Sequence, residues 1–210
     1  MQLTLASFNY QGADLEAEER NYLGHHVALA KSLPGIRLYY TGRTIEHRGQ
    51  KPEHVRHAIL AFDDGDVSSK AFQTPAGPAL ITDTLEHLKD LRNIIFDGEI
   101  IVPFDTRKPG EKCFVMTAEF NLDAADLASS ENRYRNHHTS IARRLPGLRN
   151  YIIGKLGTGA DRYRIAILVF DSADAFKAAY RSPVGLELIE DEEATIRNAR
   201  VHRLDARVEV

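Results

Sequence analysis

The sequence has little sulfur and no tryptophan: its 210 residues include one cysteine and two methionines. The single thiol, Cys113, excludes an intramolecular disulfide and any metal site built from a cysteine cluster. No apolar run approaches the roughly 18 to 20 residues of a membrane-spanning helix. The first residues, Met1 to Phe8, lack the basic start and long apolar stretch of a signal peptide. We therefore expect a soluble, cytoplasmic protein without a membrane partner.

An excess of positive charge is also absent. Lys and Arg number 27 against 30 Asp and Glu, which gives a formal net charge of −3. Nucleic-acid-binding surfaces carry a basic surplus that neutralises phosphates, so no nucleic-acid partner is expected. With 43% hydrophobic and 27% charged residues, the composition is that of an ordinary globular chain. Its length suits one large domain or two of about 100 residues each.

The most specific feature is an internal repeat. Residues 131–155 repeat residues 19–43 with 11 identities in 25 positions, where chance gives roughly one or two. Residues 164–171 repeat residues 56–63. The spacing between copies is 112 residues in the first block and 108 in this one, because the loop between the blocks is four residues longer in the first copy. The sequence therefore predicts a tandem duplication with copies at 1–104 and 113–210. The charged, Pro-Gly-containing segment 105–112 is the predicted linker.

Each copy shows the same order of predicted elements. A first strand precedes an amphipathic helix, which a Leu-Pro-Gly sequence ends. A second and a third strand follow, then a helix capped by Thr74 or Ser182, and a last strand. The order βαββαβ is that of the ferredoxin-like fold. The predicted ranges in the two copies are strands 3–9 and 113–120, helices 15–32 and 123–144, second strands from Ile36 and Leu148, third strands 56–63 and 164–170, and last strands 94–102 and 199–208.

The third strand of each copy is apolar on both faces, as in Ile59-Leu60-Ala61-Phe62. A sheet with one wet face alternates apolar and polar residues, so both faces of these sheets are expected to be covered. The copy's own helices cover one face. We therefore predict that the two sheets pack face to face as an α+β barrel within one chain. Two separate ferredoxin-like domains are the alternative.

The helix-turn-strand segment of each copy resembles the motif of the EthD family, in which a helical histidine precedes a Leu-Pro-Gly-Leu-Arg-x-Tyr turn. The segments His26–Tyr39 and His138–Tyr151 carry this motif, and the segment Phe170–Asp191 is similar to the family's second motif, with a looser version at Phe62–Asp83. The resemblance implies a dimeric α+β barrel, here made by one chain. It also implies a relation to small dehydratases, decarboxylases and monooxygenases, but a fold does not settle the reaction.

Two histidines are the candidate catalytic residues. His26 lies on the apolar stripe of its helix together with Tyr22, and His138 repeats this placement. An imidazole that faces an apolar cavity has its pKa lowered by desolvation and can accept a proton near pH 7. Asp83 and Asp191, each three residues beyond an apolar helix position, are expected to orient the two rings. The alternative is a structural His–Asp pair that ties two helices together.

Tyrosine and arginine side chains are the candidate ligand-binding residues. An arginine and a tyrosine alternate along the second strand of each copy and are expected on one sheet face. A tyrosine-lined pocket with an arginine at its mouth suits an apolar ligand with a polar end. The alternative for the arginines is an ion pair with a carboxylate at the edge of the strand. The alternative for the helical tyrosines is a structural place in the core. The predicted ligand-binding residues are Tyr22, Arg37, Tyr39, Tyr134, Arg149 and Tyr151.

Neither a metal nor a cofactor is expected. The adjacent histidines of each helix, at 25–26 and 137–138, point about 100° apart rather than at one ion. Haem-degrading barrels of the superfold rely on a tryptophan, which this sequence lacks.

The sequence thus predicts a cofactor-independent enzyme of lyase, isomerase or oxygenase type that acts on a small apolar or aromatic molecule. A non-catalytic small-molecule-binding accessory protein of a catabolic oxidative system is the alternative. The substrate, and a homodimer beyond the internal pseudo-dimer, are left open.

Overall fold

The computed structural model of the protein describes residues 1–47, 49, 51–103, 106–123, 125–157 and 161–210. Positions 104 and 105, where the first copy was predicted to end and the linker to begin, lie outside the described residues, as do 158–160 in the shorter of the two compared loops. The strands are β1 (Gln2–Tyr10), β2 (Ile36–Thr44), β3 (Arg56–Phe62), β4 (Leu88–Val102), β5 (Lys112–Leu122), β6 (Leu148–Lys155), β7 (Arg164–Phe170) and β8 (Ile196–Val208). The α-helices are α1 (Leu15–Asn21), α2 (Val27–Lys31), α3 (Gly65–Gln73), α4 (Ala76–His87), α5 (Leu127–Arg133), α6 (Thr139–Ala142), α7 (Ala173–Arg181) and α8 (Pro183–Thr195).

The strands pair in the order β1-β3-β2-β8-β5-β7-β6-β4 and close into a barrel. The four strands of each repeat have the ferredoxin-like order, in which the first strand lies between the third and the fourth. The prediction of an α+β barrel built from two ferredoxin-like repeats is confirmed.

Two compact units make up the chain. The first unit consists of Met1–Asp97, Arg107–Glu111 and Ala206–Val210, and the second of Gly98–Thr106 and Lys112–Asp205. Each has a core between its helices and its sheet. In the first unit this core includes Phe8, Tyr22 and Leu60, and in the second their counterparts Phe120, Tyr134 and Leu168.

A helix that the sequence analysis did not predict precedes the second predicted helix of each unit. These helices, α3 and α7, begin at a side-chain cap: Asp64 accepts from the N–H of Val67 at 2.8 Å, and Ser172 from Ala175 at 3.1 Å. Both helices are only nine residues long, which is shorter than the window over which a helical period is usually recognised. The caps were the available signal.

The caps predicted for the following helices are right in one unit and wrong in the other. Ser182 accepts from the N–H of Gly185 at 3.1 Å, with Pro183 in the first turn. Thr74 instead donates its hydroxyl to the carbonyl of Ala71 at 2.7 Å, and α4 begins without a side-chain cap.

The last strand of each unit begins earlier than predicted, at Leu88 and Ile196. Two residues after its start, each of these strands has a residue with positive φ: Asp90 in β4 and Asn198 in β8, both at 53°. The pairing of β1 with β4 shifts register near this point. These strand starts are largely exposed, so no apolar pattern marks them in the sequence. In the described part of the chain, no helix has the length and apolar character needed to cross a membrane.

Candidate active site

A π-helical turn positions the candidate histidine of the first unit. Between α1 and α2, the N–H of Val27 bonds to the carbonyl of Tyr22, five residues earlier, where an α-helix uses the residue four earlier. The wider turn places the rings of Tyr22 and His26 over one another, with centroids 4.8 Å apart and planes at 21°. Such single turns inside α-helices occur frequently at functional sites.

Asp83 fixes the orientation of the His26 ring. Its Oδ2 atom lies 2.6 Å from His26 Nδ1, and both side chains are buried. A neutral imidazole that donates its Nδ1–H to this carboxylate has Nε2 as its acceptor atom. Burial lowers the pKa of His26, while the hydrogen bond and charge of Asp83 oppose the shift only in part. The ring is therefore neutral near pH 7 and can take up a proton.

An apolar cavity of about 270 Å³ lies beside His26. Among the described residues, none of the side chains that line it is Asp, Glu, Lys or Arg. The polar side chains of the wall are His26, Tyr39, Thr4, Thr84 and Asn93. The apolar ones are Ala6, Phe8, Ala30, Ala58, Leu60, Phe62, Phe72, Leu80, Ile81, Leu85, Leu88 and Leu91. The cavity thus offers one base in an otherwise uncharged, mainly apolar surface.

Two tyrosines connect this cavity to a buried ion pair. The hydroxyl of Tyr39 lies 3.3 Å from that of Tyr22, which lies 3.0 Å from Oγ1 of Thr41. Arg56 donates to Thr41 at 2.8 Å and forms an ion pair with Glu19. Burial raises the pKa of both phenols. Tyr22 and Tyr39 are therefore protonated, and the cavity lining includes the neutral phenol of Tyr39 as well as the imidazole of His26.

The second unit repeats the His–Asp pair and adds an arginine. His138 Nδ1 lies 2.9 Å from Asp191 Oδ2, and the ring stacks on Tyr134 with centroids 5.1 Å apart. Arg133 donates to the other carboxylate oxygen, at 2.5 Å from Nη2 and 3.1 Å from Nε. Burial raises the pKa of Asp191, but the bonds from Arg133 and His138 outweigh this and hold it below its usual range. The first unit has Asn21 at the position of Arg133, so Asp83 has no such partner there.

The predicted arginines lie on the surface. Arg37 Nε donates to Asp63 Oδ1 at 2.8 Å, and Arg149 Nη2 to Asp171 Oδ2 at 2.9 Å. Arg37 is not among the residues that line the cavity. A register shift at the start of each second strand interrupts the alternation on which the prediction depended. Both arginines form the strand-edge ion pairs that the sequence left as the alternative.

Sequence reasoning missed several groups at the two sites. His25 Nε2 lies 3.6 Å from Asp83 Oδ1, and His137 stands at the same distance from Asp191 Oδ1. Adjacent helical histidines were expected to point apart, yet both of each pair reach one carboxylate. The only indication of Arg133 in the sequence was that the first repeat has Asn21 at the equivalent position. Within the described residues, no three His, Cys, Asp or Glu side chains are arranged to hold a metal ion.

These features define a class of protein: a duplicated ferredoxin-like α+β barrel in which each repeat carries a helical histidine paired with an aspartate. The sequence model of the EthD domain matches residues 123–196. The matched residues lie in the second unit, and the match confirms the resemblance to the EthD family seen in the repeat motifs.

Solved structures share the fold over the whole chain. A protein of Fusobacterium nucleatum subsp. nucleatum, provisionally named a monooxygenase, is 12% identical with a TM-score of 0.78 over 99% of this chain and 93% of its own. A second provisional monooxygenase, from Lactobacillus acidophilus, is 13% identical with a TM-score of 0.71 over 100% and 95%. An anthrone oxidase-like protein is 12% identical with a TM-score of 0.60 over 99% and 93%. No curated protein matches the chain. At these identities the likeness concerns the fold alone.

Proposed function

We propose that the first unit is an enzyme site in which His26 acts as a general base on a small, neutral, apolar or aromatic molecule. The observation that carries the proposal is the position of His26: its Nδ1 is held by Asp83 at 2.6 Å, and the same ring lines the apolar cavity. A base whose second nitrogen is fixed by a buried carboxylate is oriented for proton transfer without rearrangement.

In this proposal Nε2 of His26 takes a proton from an activated C–H or O–H group of the bound molecule. The imidazolium that forms gains from the Asp83 carboxylate, which already accepts its Nδ1–H. A polar oxygen of the substrate accepts a hydrogen bond from the Tyr39 hydroxyl at the cavity wall. Return of the proton to another carbon completes an isomerisation, and loss of a leaving group completes an elimination.

A third outcome is oxygenation, in which the carbanion left by proton transfer forms a C–O bond with dioxygen. The resulting peroxide anion takes the proton back from His26, and loss of water from the hydroperoxide leaves a carbonyl group. The names of the structural neighbours, two provisional monooxygenases and an anthrone oxidase-like protein, favour this reaction type. All three routes begin with the same proton transfer, so that step is the one to test.

The test is deuterium exchange into neutral ketones with activated C–H groups, anthrone and 2-indanone, in anaerobic D₂O buffer near pH 7. We expect the protein to accelerate exchange, and His26→Gln to reduce the acceleration about 10²- to 10⁴-fold, the usual contribution of a general base. His138→Gln changes the matching pair of the second unit and is the control, expected to retain exchange. Equal exchange with His26→Gln and with the unaltered protein would overturn the assignment.

A non-catalytic carrier is the second candidate function. The observation that favours it is that, among the described residues, the cavity lining contains His26 and no Asp, Glu or Lys side chain that could act as a second acid or base. A carrier is expected to bind the same ketones stoichiometrically without accelerating exchange, so calorimetry and the exchange assay together separate the two functions.

A further inference from the structure

We propose that the His26 cavity takes elongated neutral molecules, whose polar end meets His26 and whose apolar tail leaves the cavity and covers an apolar rim formed by Ile81, Leu85 and Leu91. This inference rests on the proposed function, since it names the class of ligand for the same site.

The apolar rim consists of three large side chains that line the cavity and are also exposed to solvent. Their exposed fractions are 49% for Ile81, 70% for Leu85 and 41% for Leu91. Ile81 and Leu85 are four residues apart on α4 and therefore share one helix face. Leu85 is the most exposed large hydrophobic residue among those described. Single exposed leucines are ordinary, but three at one cavity mouth form a continuous apolar surface.

The size and charge of the cavity indicate what covers this rim. Its volume of about 270 Å³ is below the roughly 300–1,000 Å³ typical of sites for drug-sized ligands. A ligand of that size must extend through the mouth and over the rim. The lining has no charged partner for a carboxylate or an ammonium group, so burial of either would leave an unpaired charge. The site therefore selects neutral molecules.

The second unit is an internal control for the rim. The residues 108 positions after Leu85 and Leu91 are Glu193 and Ala199, both exposed. The counterpart of Ile81 is Ile189, which is half-buried. The ferredoxin-like fold therefore does not require exposed leucines at these positions, and the apolar rim occurs in the unit whose histidine lines the described cavity.

The experiment measures binding of a homologous series, from phenol to 4-octylphenol, to the full chain by calorimetry at pH 7. We expect affinity to rise about fourfold per methylene up to the longest tails. Leu85→Glu, which introduces the residue of the second unit, is expected to flatten this rise, so that it weakens binding of the long-tailed phenols far more than binding of phenol itself. Leu186→Glu, at a leucine 60% exposed in the second unit, is the matched control and is expected to leave the series unchanged.

Several outcomes would overturn the proposal. One is a rise that stops at short tails, another is no binding of any phenol, and a third is equal affinity for the charged 4-alkylbenzoates. Light scattering that shows a dimer dissociated by Leu85→Glu would assign the rim to a second copy of the chain instead. The two proposals can fail separately. If affinity rises with tail length but deuterium exchange does not depend on His26, the role of His26 as a base is wrong. If exchange depends on His26 but affinity does not rise with tail length, the role of the apolar rim is wrong.

Discussion

Replacement of Glu192 by glutamine is expected to stabilise the protein at neutral and alkaline pH but not in mild acid. Glu192 lies on α8 in the second unit, and its Oε1 accepts a hydrogen bond from the Tyr180 hydroxyl at 3.3 Å. Burial raises the pKa of Glu192 to about 7; the bond from Tyr180 opposes the shift, and the charge of Asp191 adds to it. Glutamine has nearly the same shape, keeps the acceptor for Tyr180 and carries no charge.

The magnitude follows from the two pKa values of Glu192. Its ordinary value, which applies to the unfolded chain, is 4.5, and its value in the folded protein is about 7. Between these values the folded state binds more protons than the unfolded state, so stability falls as pH rises. A shift of one pKa unit corresponds to about 1.4 kcal/mol, so the full loss of stability above pH 7 is about 3 kcal/mol. The variant avoids this loss because its side chain does not ionise.

The assay is urea unfolding at intervals from pH 4 to pH 8.5. The free energy of unfolding of Glu192→Gln minus that of the unaltered protein is expected to be near zero at pH 4 and to rise to about 3 kcal/mol at pH 8. Glu193→Gln, one residue later and exposed, controls for the introduction of a glutamine into this helix. A difference that does not change with pH would contradict the raised pKa of the half-buried Glu192 carboxyl.

Two further predictions concern the backbone. Gly77→Ala is expected to destabilise the protein by about 1–3 kcal/mol, since a Cβ there would lie 2.0 Å from the carbonyl oxygen of Phe72. Gly24→Ala, with no atom within 4 Å of its Cβ, is the control and is expected to raise the unfolding temperature through helix propensity; equal effects in thermal unfolding would contradict the contact. Ser182→Ala is expected to cost about 1 kcal/mol in urea unfolding by loss of its bond to Gly185, and an unchanged midpoint would argue against the cap.

The fold could be predicted because the duplication supplies the same information twice. The apolar third strands β3 and β7 lie within one residue of their predicted ranges. Their two apolar faces favoured a barrel over two separate domains, and the barrel is observed. Short or exposed elements were poorly predicted, because α3 is only nine residues long and the residues that follow Leu88 at the start of β4 are exposed.

The site could be predicted only in part. The sequence paired His26 with Asp83 from helical spacing, and the observed distance of 2.6 Å agrees with that pairing. It did not predict the π-turn at Tyr22. Such a turn contains one residue more than an α-helical turn, and no particular residue type indicates where it occurs. The position of Arg37 was missed for a similar reason: a bulge changes the side of the sheet on which a side chain lies.

The duplication also separates what the scaffold needs from what the ligand site needs. The stacked tyrosine, the histidine and its aspartate occur in both units, and each unit backs them with a buried Arg–Glu pair, Arg56 with Glu19 and Arg164 with Glu131. The two units differ in the groups around this common set. The exchanges from the first unit to the second include Asn21 to Arg133, Thr84 to Glu192 and Leu85 to Glu193.

The EthD domain model matches the second unit, whereas the described cavity beside a histidine lies in the first. Both units hold the histidine with an aspartate of the neighbouring helix, and the surroundings of this pair differ. Under the proposed function, this difference distinguishes the two sites: His26 faces a mainly apolar wall, whereas Asp191, the partner of His138, also accepts from Arg133 and is followed by a second carboxyl, Glu192.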